Sequence, residues 1–247
     1  MCTSFVYRKE NILVGMNFDN NGRDFKISGC CGHDFLVSVK IGSSFFPSFG
    51  VSAHGMFVND LMVDSDGAAP YKRQNKHRWV TGGVIKHVME SAGGMGDVRE
   101  VLSRIEVVNG PFMSTHNLIV DPLGNTCVVE PGRNNIFSGV SDSDIYIMTN
   151  FPLSNYLEWV PPNPVGSGAD RFCRAAEHLS KQQGVMSIDQ GFRLLKSVKQ
   201  DGPEWVTQLS LIYDPTAMEL FYCLGRHFDS VQKFDFASNK IQVIRYL

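Results

Sequence analysis

Met1-Cys2-Thr3-Ser4-Phe5 opens the chain, and the reading of this stretch decides both the fold and the chemistry. Methionine is trimmed when the second residue is small, and cysteine qualifies. Removal of Met1 would leave a first residue carrying both a thiol and a free α-amine, so that nucleophile and base share one residue. An α-amine titrates near ~7.7–8.0 and a free thiol near ~8.5. Part of the amine is then unprotonated at neutral pH and able to take the thiol proton. Read alone, Cys2 is more simply a small residue entering a strand, so its surroundings must decide.

Working outward, the first third of the chain reads as strands. Thr3 to Tyr7 and Ile12 to Asn17 flank Arg8-Lys9-Glu10-Asn11 as a tight hairpin. Phe35 to Ile41 alternates, with Phe35, Val37, Val39 and Ile41 on one face. Ser44 to Phe49 and Gly55 to Val63 continue the pattern, and a polar linker follows from Asp64 to Lys76. Two helices are expected next. One runs from Trp79 to Ser91 and is stopped by Gly93-Gly94; the other runs from Val98 to Val107, with Asp97 as its N-cap. Strands resume at Thr115 to Val120, Thr126 to Glu130 and Ile145 to Thr149. The Pro/Gly-rich stretch Pro161 to Gly168 leads into helices Ala169 to Gln182 and Ile188 to Val198. The end is again β, Thr207 to Tyr213 and Glu219 to Cys223. Strand runs separated by helix pairs argue for an α+β fold with two mainly antiparallel sheets, in one domain spanning 1–247.

Composition narrows the function classes. The 247 residues are 43% hydrophobic and 19% charged with a net charge of -2, which gives no electrostatic case for nucleic acid or an anionic membrane. No basic leader or long uncharged apolar run stands out, so a soluble, cytoplasmic protein is expected. The six cysteines are then read as reduced thiols. Adjacent Cys30 and Cys31 cannot chelate as a C-x-x-C pair does, and His87 with Glu90 lacks the second His of a zinc-protease motif. Gly93-Gly94-Met95-Gly96 ends a helix and is no phosphate cradle, since no strand precedes it. Neither a metal nor a cofactor is called for.

Three further residues carry candidate chemistry. Asp19, in Gly15-Met16-Asn17-Phe18-Asp19-Asn20, ends the second strand; antiparallel pairing returns that end to residue 2, where a carboxylate could hold and tune the new α-ammonium. Asn150, in Thr149-Asn150-Phe151-Pro152, offers a side-chain N–H to an oxyanion at a strand end. Arg171, in Asp170-Arg171-Phe172, opens a helix. Taken singly, Asp19 and Asn150 read as turn residues and Arg171 as a surface ion pair.

In this order, Met1-Cys2-Thr3, N-F-D, T-N-F-P and D-R-F resemble the linear amide C–N hydrolases, N-terminal nucleophile (Ntn) hydrolases that include choloylglycine hydrolase and penicillin V acylase and have acyltransferase and acid-ceramidase-like relatives. Ser114-Thr115-His116-Asn117, Val128-Val129-Glu130 and Thr207-Gln208-Leu209-Ser210 extend the resemblance to about residue 225. It implies a four-layer αββα sandwich. It also implies Cys2 as nucleophile with its α-amine as base, Asp19 as partner of that amine, Asn150 in the oxyanion hole and Arg171 as an orienting charge. The implied substrate is a small N-acyl amide, with no cofactor; the chain could also form a homo-oligomer.

Two departures stand out. The family carries an Arg in an R-N-x-D pattern leading to the Asp, and here that place is Met16, which should leave the thiol less acidic. Relatives also place an oxyanion Asn after the third strand group; Asn59 lies nearby with the alignment slipped by a few residues, a weak candidate. Alternatives stay open: a weakened or inactive binding relative, an acyltransferase, or a glutaminase-type amidotransferase, although those usually begin Cys-Gly-Ile and this chain reads Cys-Thr-Ser.

Overall fold

The structure is a computed structural model and describes residues 1–28, 34–238 and 240–244; Cys30 and Cys31 lie outside the described residues. In chain order the strands are β1 Thr3–Arg8, β2 Ile12–Asn20, β3 Phe25–Ser28, β4 Phe35–Ile41, β5 Ser44–Val51, β6 Phe57–Met62 and β7 Arg78–Val80. Helices α1 Thr81–Ser91 and α2 Met95–Leu102 follow. Next come β8 Glu106–Val108, β9 Thr115–Val120, β10 Thr126–Val129, β11 Ile136–Ser138 and β12 Ile145–Met148. The chain continues with α3 Ala169–Lys181, α4 Ile188–Ser197, β13 Val206–Asp214, β14 Glu219–Leu224, β15 Val231–Asp235 and β16 Lys240–Ile244. The residues divide into two compact units, one of Met1–Gly22 with Val140–Leu247 and one of Arg23–Gly139.

The first unit contains a seven-stranded antiparallel sheet among the described residues, in the order β12-β1-β2-β13-β14-β15-β16. Its centre is the β1–β2 hairpin, in which Thr3 pairs with Asn17 and Arg8 with Ile12. Every residue of β1 is buried. Gly15 is required there because a Cβ would sit 2.0 Å from Cε1 of Phe5, whose ring lies over the glycine. Helices α3 and α4 pack on this sheet, α3 against β12 and β1, α4 against β2 and β13. Ser187 and Gln190 form a reciprocal capping box that starts α4. Asn17, buried in β2, donates from Nδ2 to the Leu195 carbonyl near the end of α4 at 2.8 Å and accepts from Ser210 of β13 at 2.7 Å. It gives the Leu195 carbonyl a second donor beside the C-cap N–H of Val198 and fixes helix to sheet.

The second unit contains another seven-stranded antiparallel sheet, β11-β10-β9-β6-β5-β4-β3, and a two-stranded parallel pair, β7 with β8. Val84, Ile85 and Val88 of α1 and Val98 and Leu102 of α2 form its core with Leu36, Val58, Ile119 and Val129 from the sheet. Each such side chain contributes about 1.5–3 kcal/mol when fully buried.

The helix pair departs from the sequence expectation. Trp79 lies in β7 and not in a helix, and the second helix covers Met95–Leu102 in place of Val98 to Val107. Extended Gly94 is the N-cap, and Asp97 sits inside the first turn, reaching back to the Gly93 N–H at 2.8 Å. Glu106–Val108 extends because Val107 and Val108 are β-branched and can pair with Trp79 and Val80. Strands β3, β7, β8, β11, β15 and β16 were not expected from pattern alone. No helix among the described residues is long and apolar enough to cross a membrane.

Candidate active site

Hairpin register builds the site. Pairing of Thr3 with Asn17 brings residue 19 back to the chain start. Both backbone groups of Asp19 meet the thiol: its N–H donates to Cys2 Sγ at 3.4 Å, and its carbonyl lies 3.7 Å from the same sulfur. The Met1 ammonium donates to that carbonyl at 3.3 Å. Alternation along the strands puts Cys2, Ser4 and Met16 on one face and Thr3, Asn17 and Asp19 on the other. Met16, where the resembled family has Arg, therefore presents a buried thioether on the face of Cys2.

The Asp19 carboxylate is held at both oxygens. Thr207 Oγ1 donates to Oδ1 at 2.5 Å and Gln200 Nε2 donates to Oδ2 at 2.6 Å. The same Gln200 nitrogen also donates to the Met1 carbonyl at 2.8 Å. Thr207 reaches Asp19 because the β13–β2 register shifts between Thr207 and Leu209, a bulge that re-aims the strand end. A backbone pair then ties the two donors together: Gln200 N–H donates to Thr207 Oγ1 at 2.8 Å, and Thr207 N–H donates to the Gln200 carbonyl at 3.0 Å.

Arg171 gathers the remaining members. From the first turn of α3 its Nη1 donates to the Cys2 carbonyl at 2.6 Å and to Thr3 Oγ1 at 2.7 Å, while Nη2 donates to Asn150 Oδ1 at 2.7 Å. Nη1 stands 3.8 Å from Asp19 Oδ2. A cation at a helix N-terminus faces the positive end of the helix dipole; three acceptors and a carboxylate offset that here. Fixing Oδ1 on Arg171 settles the orientation of the Asn150 amide and makes Nδ2 its donor end, the end an oxyanion would need. Gly168, the N-cap of α3 with φ +80°, leaves room for the guanidinium: a Cβ there would lie 2.5 Å from Nη2.

Cys2, Asp19, Asn150 and Arg171 are all buried, and burial dominates the titration of the site. It pushes the Cys2 thiol up, opposed by the N-terminal ammonium, the Asp19 N–H and Arg171. It lowers the Met1 ammonium, opposed by Cys2 and Asp19. It raises the Asp19 carboxyl, opposed by Thr207, Gln200 and Arg171. Both shifts favour a neutral thiol beside a neutral amine, and the amine in question is that of Met1.

Cys2, Asp19, Asn150 and Arg171, singled out from the sequence, thus meet in the first unit. Asn59 belongs to β6 of the second unit, where its Oδ1 accepts from the Leu118 N–H at 3.0 Å. Gln200 and Thr207 were not assigned a role from sequence. Thr207 sits in a stretch that reads as an ordinary strand, and Gln200 follows a helix with no pattern around it. Among the described residues no group of three His, Cys, Asp or Glu side chains gathers as a metal site would require.

No protein-family model matches the chain, and no curated protein matches it by sequence. Solved structures do match. The conjugated bile acid hydrolase of Clostridium perfringens superposes with a TM-score of 0.70 at 14% identity, covering 100% of this chain and 97% of that one. Penicillin V acylase from Agrobacterium tumefaciens gives 0.63 at 15% identity, with 95% and 91% covered. The N-acylethanolamine-hydrolyzing acid amidase ortholog of Caenorhabditis elegans gives 0.60 at 14%, with 87% and 93% covered. At such identity the likeness is one of architecture, and the chain has the α+β fold of the Ntn-hydrolase linear amide C–N hydrolases.

Proposed function

We propose that this chain is a cysteine amidase that hydrolyses a linear, non-peptide C–N amide bond through an acyl-thioester on Cys2. The observation that carries the reading is the convergence of Arg171 on the Cys2 carbonyl, Thr3 and Asn150 beside the Asp19 carboxylate. The solved structures of like fold, each named for hydrolysis or acylase action, support the same class of reaction.

With Met1 removed, the Cys2 α-amine takes the thiol proton as Sγ attacks the amide carbonyl carbon. The oxyanion is stabilised by the donor end of Asn150. The α-ammonium then gives its proton to the leaving nitrogen as the C–N bond breaks, and an amine departs. The α-amine next takes a proton from water, whose oxygen attacks the thioester carbon; the acid leaves and Sγ regains a proton. Interception of the thioester by an amine in place of water would make the same site an acyltransferase. Cytoplasmic residence fits a nucleophile that must stay a reduced thiol.

Met16 favours a second reading, a relative that keeps the fold and binds N-acyl amides with little turnover, because a thioether stands on the face of Cys2 where the resembled family has Arg. A panel of phenoxyacetyl, fatty-acyl, bile-acid and acyl-amino-acid amides decides between them. Turnover that disappears in both Cys2→Ala and Asp19→Ala supports the amidase. Turnover retained in either variant moves the chemistry elsewhere, and ligand binding without turnover favours the second reading.

A further inference from the structure

The strand position expected to carry a second cation holds Met16 on the face of Cys2, whereas the Asp19 carboxylate, on the other face, is met by Arg171 and by neutral donors. The groups around that carboxylate come from every element packed against it. Cys2 and the chain's α-amine immediately precede β1, and Arg171 on α3 stands 3.8 Å away. Thr207 at the start of β13 and Gln200 after α4 make the two shortest contacts, one to each oxygen.

We infer that Gln200 and Thr207 form a clamp of neutral donors that keeps Asp19 ionised and aimed at the N-terminal amine, making both of them positioning residues for the thiol–amine pair. Three features support this. The clamp is bidentate, so it fixes the carboxylate plane as well as its charge state. It depends on a β-bulge; an unshifted register would not bring Thr207 opposite Asp19. And its two members hydrogen-bond each other, Gln200 N–H to Thr207 Oγ1 and Thr207 N–H to the Gln200 carbonyl, which ties their positions together.

Gln200 has an added link to the chain start. Its Nε2 bridges Asp19 Oδ2 and the Met1 carbonyl. Departure of Met1 removes one of those acceptors and leaves the amide on the carboxylate, next to the new α-amine. A hydrogen bond to the charged form of an acid favours that form. Loss of either donor therefore lets Asp19 take up a proton at a higher pH than before. A neutral Asp19 no longer opposes thiolate formation at Cys2, and the thiol ionises at lower pH.

The inference rests on the reading of Cys2 as the reactive thiol, and the test keeps the two apart. Met1-free protein is alkylated with iodoacetamide across a pH series, and labelling at Cys2 is read by peptide mass against the exposed Cys173 in the same molecule. Wild type is compared with Thr207→Val, Thr207→Ser and Gln200→Leu, each checked for folding by circular dichroism. The clamp predicts that Thr207→Val and Gln200→Leu move the Cys2 profile to lower pH by about one unit, a roughly tenfold change in rate on the acid limb. Thr207→Ser, which keeps the hydroxyl, stays with wild type. Folded variants whose profiles superimpose on wild type, or move to higher pH, overturn the clamp. So does a Thr207→Ser that shifts as far as Thr207→Val. Should Thr207→Val fail to fold, Gln200→Leu gives the same readout from a partly exposed position. Equal labelling of Cys2 and Cys173 in wild type would count against the nucleophile reading, while the differences among variants still decide the clamp.

Discussion

Each unit lays a helix pair on an antiparallel sheet, and each has a glycine at a contact between helix and sheet. In the first, a Cβ on Gly191 of α4 would lie 2.7 Å from Ile212 Cδ1; in the second, a Cβ on Gly50 of β5 would lie 3.0 Å from Met89 Cε on α1. The units differ in what they do with buried polar groups. The first surrounds a thiol and an amine with one cation, one carboxylate and two neutral donors. The second holds a half-buried Asp60 near Thr81, Thr115 and Asn117, with a contact of 3.3 Å between buried His116 Nδ1 and Glu130 Oε1. Burial pushes Asp60 up to about 7, against hydrogen bonds from the two threonines and the charge of His116. A folded value so far from the unfolded one makes the titration of Asp60 act on stability. The lesson is that similar frames can bury charge for two ends, one chemical and one structural.

Substitutions that break this contrast should differ sharply in effect. Cys2→Ser should remove amidase turnover to the limit of detection and leave the unfolding midpoint close to wild type; a variant that retained turnover would place the nucleophile elsewhere. Arg171→Met should cost about 3–5 kcal/mol in urea unfolding, because it leaves a buried carboxylate and three acceptors without their donor. Arg171→Lys should recover part of that stability and little activity, since an ammonium cannot reproduce the fork.

In the second unit, Asp60 binds its proton more tightly folded than unfolded. Its contribution to stability is full below the unfolded value of about 3.9 and is lost as pH rises through the folded value of about 7. Urea unfolding from pH near 4 to pH near 7 should therefore lose at most about 4 kcal/mol through this one group. Asp60→Asn should flatten that slope; an unchanged slope would assign the pH dependence to another group. Gly168→Ala is the smallest of the set, about 1–2 kcal/mol for a left-handed residue that gains a Cβ. Its effect on turnover should exceed its effect on stability because the Cβ displaces the Arg171 guanidinium; equal effects would reduce Gly168 to a helix cap.

Cys2, Asp19, Asn150 and Arg171 stood out in the sequence through the order of four short motifs that together resemble one family; singly, each reads as an ordinary strand, turn or surface residue. Hairpin period alone predicts that residue 19 returns to residue 2. Thr207 lies in a stretch, Thr207-Gln208-Leu209-Ser210, that extends the resemblance, yet its contact with Asp19 depends on a bulge that leaves no mark in sequence, and Gln200 has no pattern around it. Helix α2 was misplaced for a related reason: Asp97 has cap chemistry, yet Gly94 takes the extended backbone and Asp97 bonds from within the first turn. The apolar spacing of Val98, Val101, Leu102 and Ile105 also ran on past the residue where β-branched neighbours favour a strand.

The most direct test of the central claim is the mass of the Met1-free protein, acid-quenched during turnover of an N-acyl amide probe. The account predicts one added acyl group on the N-terminal peptide, labile to hydroxylamine as a thioester is, and absent in Cys2→Ala. Turnover with no adduct at Cys2, or an adduct on another cysteine, would contradict it.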